Sequence, residues 1–449
     1  MQGLARVLIV GRDDRQAGNF LRALSGDGIE AIAGNISESA AELCGDNRPD
    51  VVVLNMGSDQ ARGNPKPFLA FARTIKSSAF SSHMRILLAG TGEAACKAVA
   101  DGHVDDILIG AANPAQLRNR VRALIRLNTM HEELVRRLGT SAKYGLDAPA
   151  PATPPGKIEN ATVLVLGDPQ EFARIENALA TQATLVGALS QTTALDYLSR
   201  RPFDAVIINA GVPFGGSLDF VRDVRRNSRL YNTPVILLAG AELLEEAETI
   251  FASGVTDAVA KPFAAEELRV RVQSLMRESR FRDALKTIYS QARHFATSDS
   301  LTGLYTRGFL LEHMSALVAD TRRTSHGFAL AGLTVANLDE INASIGYAAG
   351  DRILRQVGEV IAFLIRGEDL AARYSGRRFA ILLPDTSEHG ARRALDRIRG
   401  VVTHTEFVVE DHHAPVHVRL GTGLAAYVDG DTPETIVARS WAQGWRKAA

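Results

Sequence analysis

Cysteine is nearly absent from this chain of 449 residues: Cys44 and Cys96 stand far apart, without metal-ligand spacing, which excludes a disulfide framework or a cysteine-built metal centre. Neither sign of charge prevails, with 51 Lys plus Arg against 51 Asp plus Glu. No global field therefore draws the chain to nucleic acid or to an anionic membrane, and an anionic ligand has to be held by a local basic cluster. No stretch approaches the roughly 18 apolar residues of a membrane span. The opening MQGLARVLIVG lacks the layout of a signal peptide and reads as the start of a strand. These absences lead to the expectation of a reduced, cytoplasmic protein with no nucleic-acid partner and no membrane span. What is present is apolar residue, 46% of the chain, enough at this length for about three hydrophobic cores.

The clearest boundary is SAKYGLDAPAPATPPGK, residues 141 to 157, where four prolines interrupt all periodicity. On either side the chain repeats itself. VLIVGRDD at Val7 to Asp14 returns as VLVLGDPQ at Val163 to Gln170, and PDVVVLNMG at Pro49 to Gly57 returns as FDAVIINAG at Phe203 to Gly211. An offset near 155 residues in both pairs argues for two copies of one domain. Within each copy, strand-length apolar runs alternate with helical stretches such as Gln16 to Leu24 and Leu218 to Arg226, the pattern of a doubly wound α/β sheet. Leu268 to Thr297 then runs without proline or glycine. Its apolar positions Leu275, Met276, Leu285, Ile288, Tyr289, Ala292 and Phe295 predict a long helix packed on a neighbour or a twin chain.

A third domain begins near Asp299. FALAGLTV at Phe328 to Val335, a helical stretch from Asp351 to Ile365, and the strands LAARY and FAILLP around Ser375 to Arg378 give a β-α-β-β order. A helix at Glu388 to Val401 and a strand at Val416 to Leu424 follow, predicting an α+β sheet with helices on one side. The boundaries read from this are 1–139 and 158–280 for the two α/β copies, 140–157 for the linker, 281–297 for a helical stalk and 298–449 for the last domain.

With these pieces in order the chain resembles the PleD type of bacterial response regulator, in which tandem receivers precede a diguanylate cyclase (GGDEF) domain. DSLTGLYTR at Asp299 to Arg307 is similar to the DxLTGLxNR signature that opens GGDEF domains, with Thr306 where Asn is usual. The resemblance implies two CheY-like receivers followed by a palm-like, ferredoxin-like GGDEF sheet. Receiver chemistry places a phosphorylatable aspartate after the third strand, two Mg²⁺-holding acids after the first, a hydroxyl after the fourth and a lysine after the fifth. In the first copy these places read Asn55, Gly11 with Arg12, Ala89 and Gly110. In the second, Asn209 stands at the acceptor and one acid, Asp168, remains, although Lys261-Pro262 survives. An amide is not a phosphoacceptor, so both copies read as protein-docking or dimerisation modules. Lys261 reads as a strand-end lysine with no acceptor facing it.

The same resemblance places the metal-binding strand aspartates of a cyclase on Thr334 and Ala336, and the acids of its GGDEF turn on Arg377 and Arg378 in Ser375-Gly376-Arg377-Arg378-Phe379. A guanidinium about 5 Å from Mg²⁺ at an effective dielectric near 20 is repelled by on the order of 7 kcal/mol. Trp441 stands at the aspartate of the family's C-terminal motif, and Arg446 and Lys447 read as a frayed basic end. The reading is therefore a non-enzyme, with no cofactor and no metal. Asn342 and Asp351 match the family's guanine-binding pair. They either keep a GTP pocket or simply cap and decorate helices.

Ahead of the turn, Arg366-Gly367-Glu368-Asp369 sits at the spacing of the family's RxxD site for cyclic di-GMP, and Arg397 falls where the family supplies a second arginine. Arginine can donate two hydrogen bonds to guanine O6 and N7, and aspartate can accept from guanine N1–H and N2–H. The expectation is a cyclic di-GMP effector, homodimeric through its receivers. By resemblance to PleD-like paralogues with degenerate catalytic residues, its partners belong to the ClpXP pathway of cell-cycle proteolysis and its station is a cell pole. The rivals are a cyclase using Asp339 or Asp385, a GTP sensor on Asn342 and Asp351, and a structural hub without nucleotide.

Overall fold

The structure, a computed structural model, describes residues 5–442 apart from 13, 27, 58–64, 79–80, 91–101, 110–112, 147–153, 157, 159, 211–214, 228, 241, 292–296, 325, 410–411 and 413. The chain forms two compact units, one of Arg6–Asn128 with Thr153–Ala284, the other of Met1–Ala5 with Thr129–Ala152 and Leu285–Ala449.

The first unit holds both α/β copies. Strands β1 (Ala5–Gly11), β2 (Ile29–Asn35), β3 (Val51–Asn55), β4 (Arg85–Ala89) and β5 (Asp106–Leu108) form one sheet in the order β2-β1-β3-β4-β5. Helices α1 (Asp14–Leu24), α2 (Ala40–Asn47), α3 (Lys66–Ser77) and α4 (Pro114–Ala142) accompany it. The second copy repeats the plan with β6 (Ala161–Gly167), α5 (Pro169–Leu179), β7 (Ala183–Ala188), α6 (Gln191–Arg200), β8 (Ala205–Asn209) and α7 (Gly215–Arg226). It continues through β9 (Val235–Gly240), α8 (Ala247–Ala252), β10 (Asp257–Lys261) and α9 (Ala265–Gln291), giving the sheet order β7-β6-β8-β9-β10. β3 and β8 are buried at every position, which is why each reads as an unbroken apolar run and needs helices on both faces.

Matched ion pairs, one within each copy, sit where the two copies dock, and Arg120 also reaches Glu278 of the second copy at 3.0 Å. Arg120 bonds Asp106 at 2.6 Å and Arg271 bonds Asp257 at 2.9 Å, fourteen residues apart in each copy. Ser274 of the second copy donates to Asp106, and Gln116 of the first to Asp257. These faces are thus already occupied inside one chain.

One helix expectation changes and one of two alternatives is favoured. The linker expected from residue 140 begins later, because α4 remains helical through Ala142. The apolar stripe of the second long helix turns inward: Leu275 and Met276 join the core of the second copy, and Leu285 and Tyr289 are buried too. Those positions pack within the chain, while Ala292 and Phe295 lie outside the described residues.

In the other unit, β11 (Tyr305–Thr306), β12 (Phe328–Val335), β13 (Leu370–Ser375), β14 (Arg378–Pro384) and β15 (Leu420–Ala426) order as β11-β13-β14-β12-β15. β12 runs antiparallel to both neighbours. Helices α10 (Arg307–Thr324), α11 (Leu338–Ile345), α12 (Tyr347–Leu364), α13 (Glu388–His404) and α14 (Pro433–Ala442) cover the sheet on both faces, not one. Ala329, Ala331 and Leu333 face Ile353, Val357 and Leu395, whereas Phe328 and Leu330 face Phe309, Met314 and Ile436. A strand apolar at successive positions requires this second layer.

Candidate functional site

The segment Arg366 to Asp369 links α12 to β13 as a closed turn. The Arg366 N–H donates to Asp369 Oδ2 at 2.8 Å, and the Asp369 N–H donates back to the Arg366 carbonyl at 3.2 Å. An aspartate that bonds the local backbone is a standard way of closing such a turn. From α13, Arg397 donates to the Leu364 carbonyl at 2.9 Å, satisfying one of the orphan carbonyls at the end of α12. Arg366, Asp369 and Arg397 are therefore brought to one corner of the unit, the two arginines exposed.

Asp369 departs from its expected role as an open acceptor. Its residue is only 6% exposed, and Oδ1 is buried without a hydrogen-bond partner. Burial, then the neighbouring Glu368, push the carboxyl up to about 7, against the opposing bond from Arg366. Sequence reading missed the group that lies over this turn. Arg137, on α4, donates to the Gly367 carbonyl at 3.3 Å and to the Glu368 carbonyl at 2.6 Å. No motif marks Arg137, which lies some 230 residues away along the chain.

The hairpin brings together the positions at which the resemblance places a cyclase's acids. Thr334 on β12 pairs in register with Arg378 on β14, and the Val335 N–H donates to the Arg377 carbonyl at 3.0 Å, so the expected positions do meet. Their donor set is a hydroxyl and two guanidinium groups, which does not fit a divalent cation. Arg378 lies over the Trp441 ring at 5.3 Å, Tyr374 tilts against that ring at 5.7 Å, and Arg307 covers Tyr374 at 4.8 Å. The Trp441 ring rests on Gly332, where an added Cβ would come within 2.8 Å of it. Because an indole ring cannot yield like a flexible chain end, Gly332→Ala is expected to lower stability by about 1–3 kcal/mol, measurable by denaturant unfolding.

Asp339 and Asp385 occupy different places. Asp339 is ion-paired with Arg377. Asp385 follows Pro384, which pairs with Phe328 at the far end of β12 from Thr334, about 20 Å away at a strand's rise per residue. Asp299, in the opening signature, works locally: burial raises its carboxyl, but bonds from Thr302 and the Arg373 charge outweigh that and hold it below its ordinary value. Asn342 sits within α11 and does not cap the helix after it, whose N-cap is Gly346. Its Oδ1 is buried, has no partner and presses on Gly350, next to an exposed Asp351.

In the second α/β copy, a cleft of 830 Å³ opens at the carboxyl ends of β6 and β8, where strand order reverses. Open α/β sheets bind ligands at such points. The Lys261 ammonium donates to Asn209 Oδ1 at 2.6 Å and to the Ala210 carbonyl at 2.8 Å. Lys261 thus meets the acceptor position, where an amide and not a phosphorylatable carboxylate stands. Gly167 is required there, since it has a φ of +135° and a Cβ would lie 2.5 Å from the Asn209 carbonyl oxygen. Asn55, buried at the end of β3, accepts from the Gly57 N–H at 3.0 Å. Asp13, Gly110, Arg446 and Lys447 lie outside the described residues.

Sheet order, repeat and hairpin are similar to those of response regulators that join receiver and GGDEF domains. Residues 163–273 match the response regulator receiver domain, and residues 296–442 match the family described as diguanylate cyclase, GGDEF domain. The particular likeness is to the response regulator PleD of Caulobacter vibrioides, 27% identical over 447 residues, covering 97% of this chain and 95% of that protein. Over nearly its whole length the chain is therefore similar to PleD, and it carries regions that match the receiver and GGDEF families. The diguanylate cyclase DgcP of Pseudomonas aeruginosa is 29% identical over 179 residues, 39% of this chain and 26% of that protein. A GGDEF domain of DgcB from Caulobacter crescentus, solved in complex with c-di-GMP, is 24% identical with a TM-score of 0.32, over 33% of this chain and 86% of that one. Among the described residues no helix is long and apolar enough to cross a membrane.

Proposed function

We propose that the protein is a catalytically inactive diguanylate cyclase homologue that acts as a cyclic di-GMP effector and scaffold. The observation that carries this reading is the tether from Arg397 to the Leu364 carbonyl, which sets two exposed arginines on either side of the Asp369 turn. The planar donors of Arg366 and Arg397 suit guanine edges and phosphate. Thr334, Arg377 and Arg378 offer no carboxylate to the metal ions that phosphoryl transfer between nucleotides requires. Asn55 and Asn209 leave the receivers to docking and homodimerisation, on faces other than the one built from Asp106, Arg120, Asp257 and Arg271.

In this reading the protein works as PopA does among PleD-like paralogues: ligand binding directs it to a cell pole, where it recruits cell-cycle proteins for ClpXP proteolysis. Calorimetry should show saturable cyclic di-GMP binding that Arg366→Ala weakens by at least about tenfold, the size of one charge-assisted pair. Equal affinity in both proteins refutes the site. Labelled GTP with Mg²⁺ should yield no cyclic di-GMP above a protein-free control, and product formation refutes the inactivity. The unpartnered Asn342 Oδ1 beside Asp351 supports a second reading, a GTP pocket on that pair. GTP bound at that pocket would leave cyclic di-GMP affinity at the Arg366 corner unchanged in a competition titration.

A further inference from the structure

The cover over the Arg366–Asp369 turn comes from α4 and α9. Arg137 grips the two successive carbonyls of Gly367 and Glu368, and its guanidinium is fixed from behind by Glu133 at 2.9 Å and by the Tyr289 ring at 4.5 Å. A methyl group added at Gly367 would lie 3.4 Å from Met130 and 3.6 Å from Lys286. The Tyr289 hydroxyl donates to the Met130 carbonyl, locking the two helices together over the turn. Arg136 and Glu133 tie the same stretch of α4 to Asp320 and His313 of α10. Arg137 is 3% exposed, so these contacts are not those of a solvated surface arginine. They leave Arg366 and Arg397 open to solvent and enclose Asp369, the one member of the predicted trio that has to meet a guanine N–H.

From this we infer that α4 is a latch on the cyclic di-GMP site: Arg137 and Met130 hold the turn shut over Asp369, and full engagement of the dinucleotide requires α4 to withdraw. The inference rests on the proposed ligand and adds the regulation of its site. A ligand that binds only the open form has its apparent affinity reduced by the fraction of molecules that are open. Whatever loosens α4 therefore tightens binding, and the bound ligand in turn holds α4 away. Because α4 begins at Pro114 as the last helix of the first α/β copy, its withdrawal is a means by which occupancy can reach that copy.

Two variants separate the latch from the site. Arg137→Lys keeps a cation beside Glu133 but loses the planar fork that spans two carbonyls. Met130→Ala removes a contact and leaves every buried charge in place. In both, with native circular dichroism, cyclic di-GMP is expected to bind roughly three- to tenfold more tightly. Hydrogen exchange at the Asp369 amide, without ligand, is expected to speed up by at least about tenfold. Unchanged exchange overturns the latch whatever the ligand does, and faster exchange without tighter binding overturns its control of affinity. Unaltered binding in Arg366→Ala sinks the ligand assignment instead, leaving the exchange result to judge α4 by itself.

Discussion

At pH 8, Asp369→Asn is expected to stabilise the protein by about 1–3 kcal/mol while weakening cyclic di-GMP binding by at least about tenfold. The aspartate is buried and its carboxyl is raised to about 7. A raised carboxyl contributes its stability below the unfolded value, near 4, and loses it as pH rises through 7. Above pH 7 the folded protein therefore carries a buried charge, with one oxygen bonded to the Arg366 N–H and the other without a partner. Asparagine keeps the turn bond and removes the charge, at the cost of a buried amide without an acceptor. The two proteins should melt together near pH 4 and diverge between pH 4 and pH 7, with the variant higher. Equal melting at pH 8 contradicts the burial of Asp369. Retained binding contradicts its part in the site. A group kept at a cost to folding where binding needs it is a familiar signature of a functional position.

Glu133→Ala is expected to have the largest effect on stability, a loss of about 3–5 kcal/mol. Glu133 is fully buried and accepts from Arg136, from Arg137 at 2.9 Å and from His313 Nε2 at 2.7 Å. Burial raises its carboxyl, but the charges of His313, Arg137 and Arg136 outweigh burial and hold it far below the ordinary range. His313 is itself lowered from its ordinary value, chiefly by burial, with the Glu133 charge opposing that shift. Truncation leaves the buried Arg137 guanidinium without its carboxylate, the costly half of breaking a buried pair, while Arg136 keeps Asp320. The stability that Glu133 supplies is present above its unfolded value and lost as pH falls below about 4.5. Denaturant melts at pH 7 and pH 3 should therefore converge for the unsubstituted protein and Glu133→Ala as the solution is acidified. A loss under about 1 kcal/mol at pH 7 would show that the network is not what anchors α4.

Where sequence and structure agree, the information was local. The repeat of VLIVG and VLVLG marks strands buried on both faces, and such runs identify themselves through apolar content. The Arg366–Asp369 turn was legible because its spacing from the hairpin is set along a single segment. Where they part, the deciding contacts join residues far apart in the chain. Arg137 lies in a stretch assigned to the end of the first domain, yet it bonds residues 367 and 368. The second helical layer over β12 sets Phe328 and Leu330 against Phe309 and Ile436, contacts that the helix pattern nearest in the chain does not announce.

The sequence by itself determined three things: two doubly wound α/β copies and an α+β domain, the arginines and threonine that stand at the hairpin, and the Arg-x-x-Asp segment with Arg397. Each follows from periodicity or residue identity, which a linear chain displays directly. Tertiary structure alone decided that Trp441 packs beneath Arg378 on Gly332, that Lys261 meets Asn209, and that Asp369 is enclosed by a helix. Burial is set by which distant side chains fill the space around a group, and the protonation and access of Asp369 depend on burial more than on its neighbours in sequence.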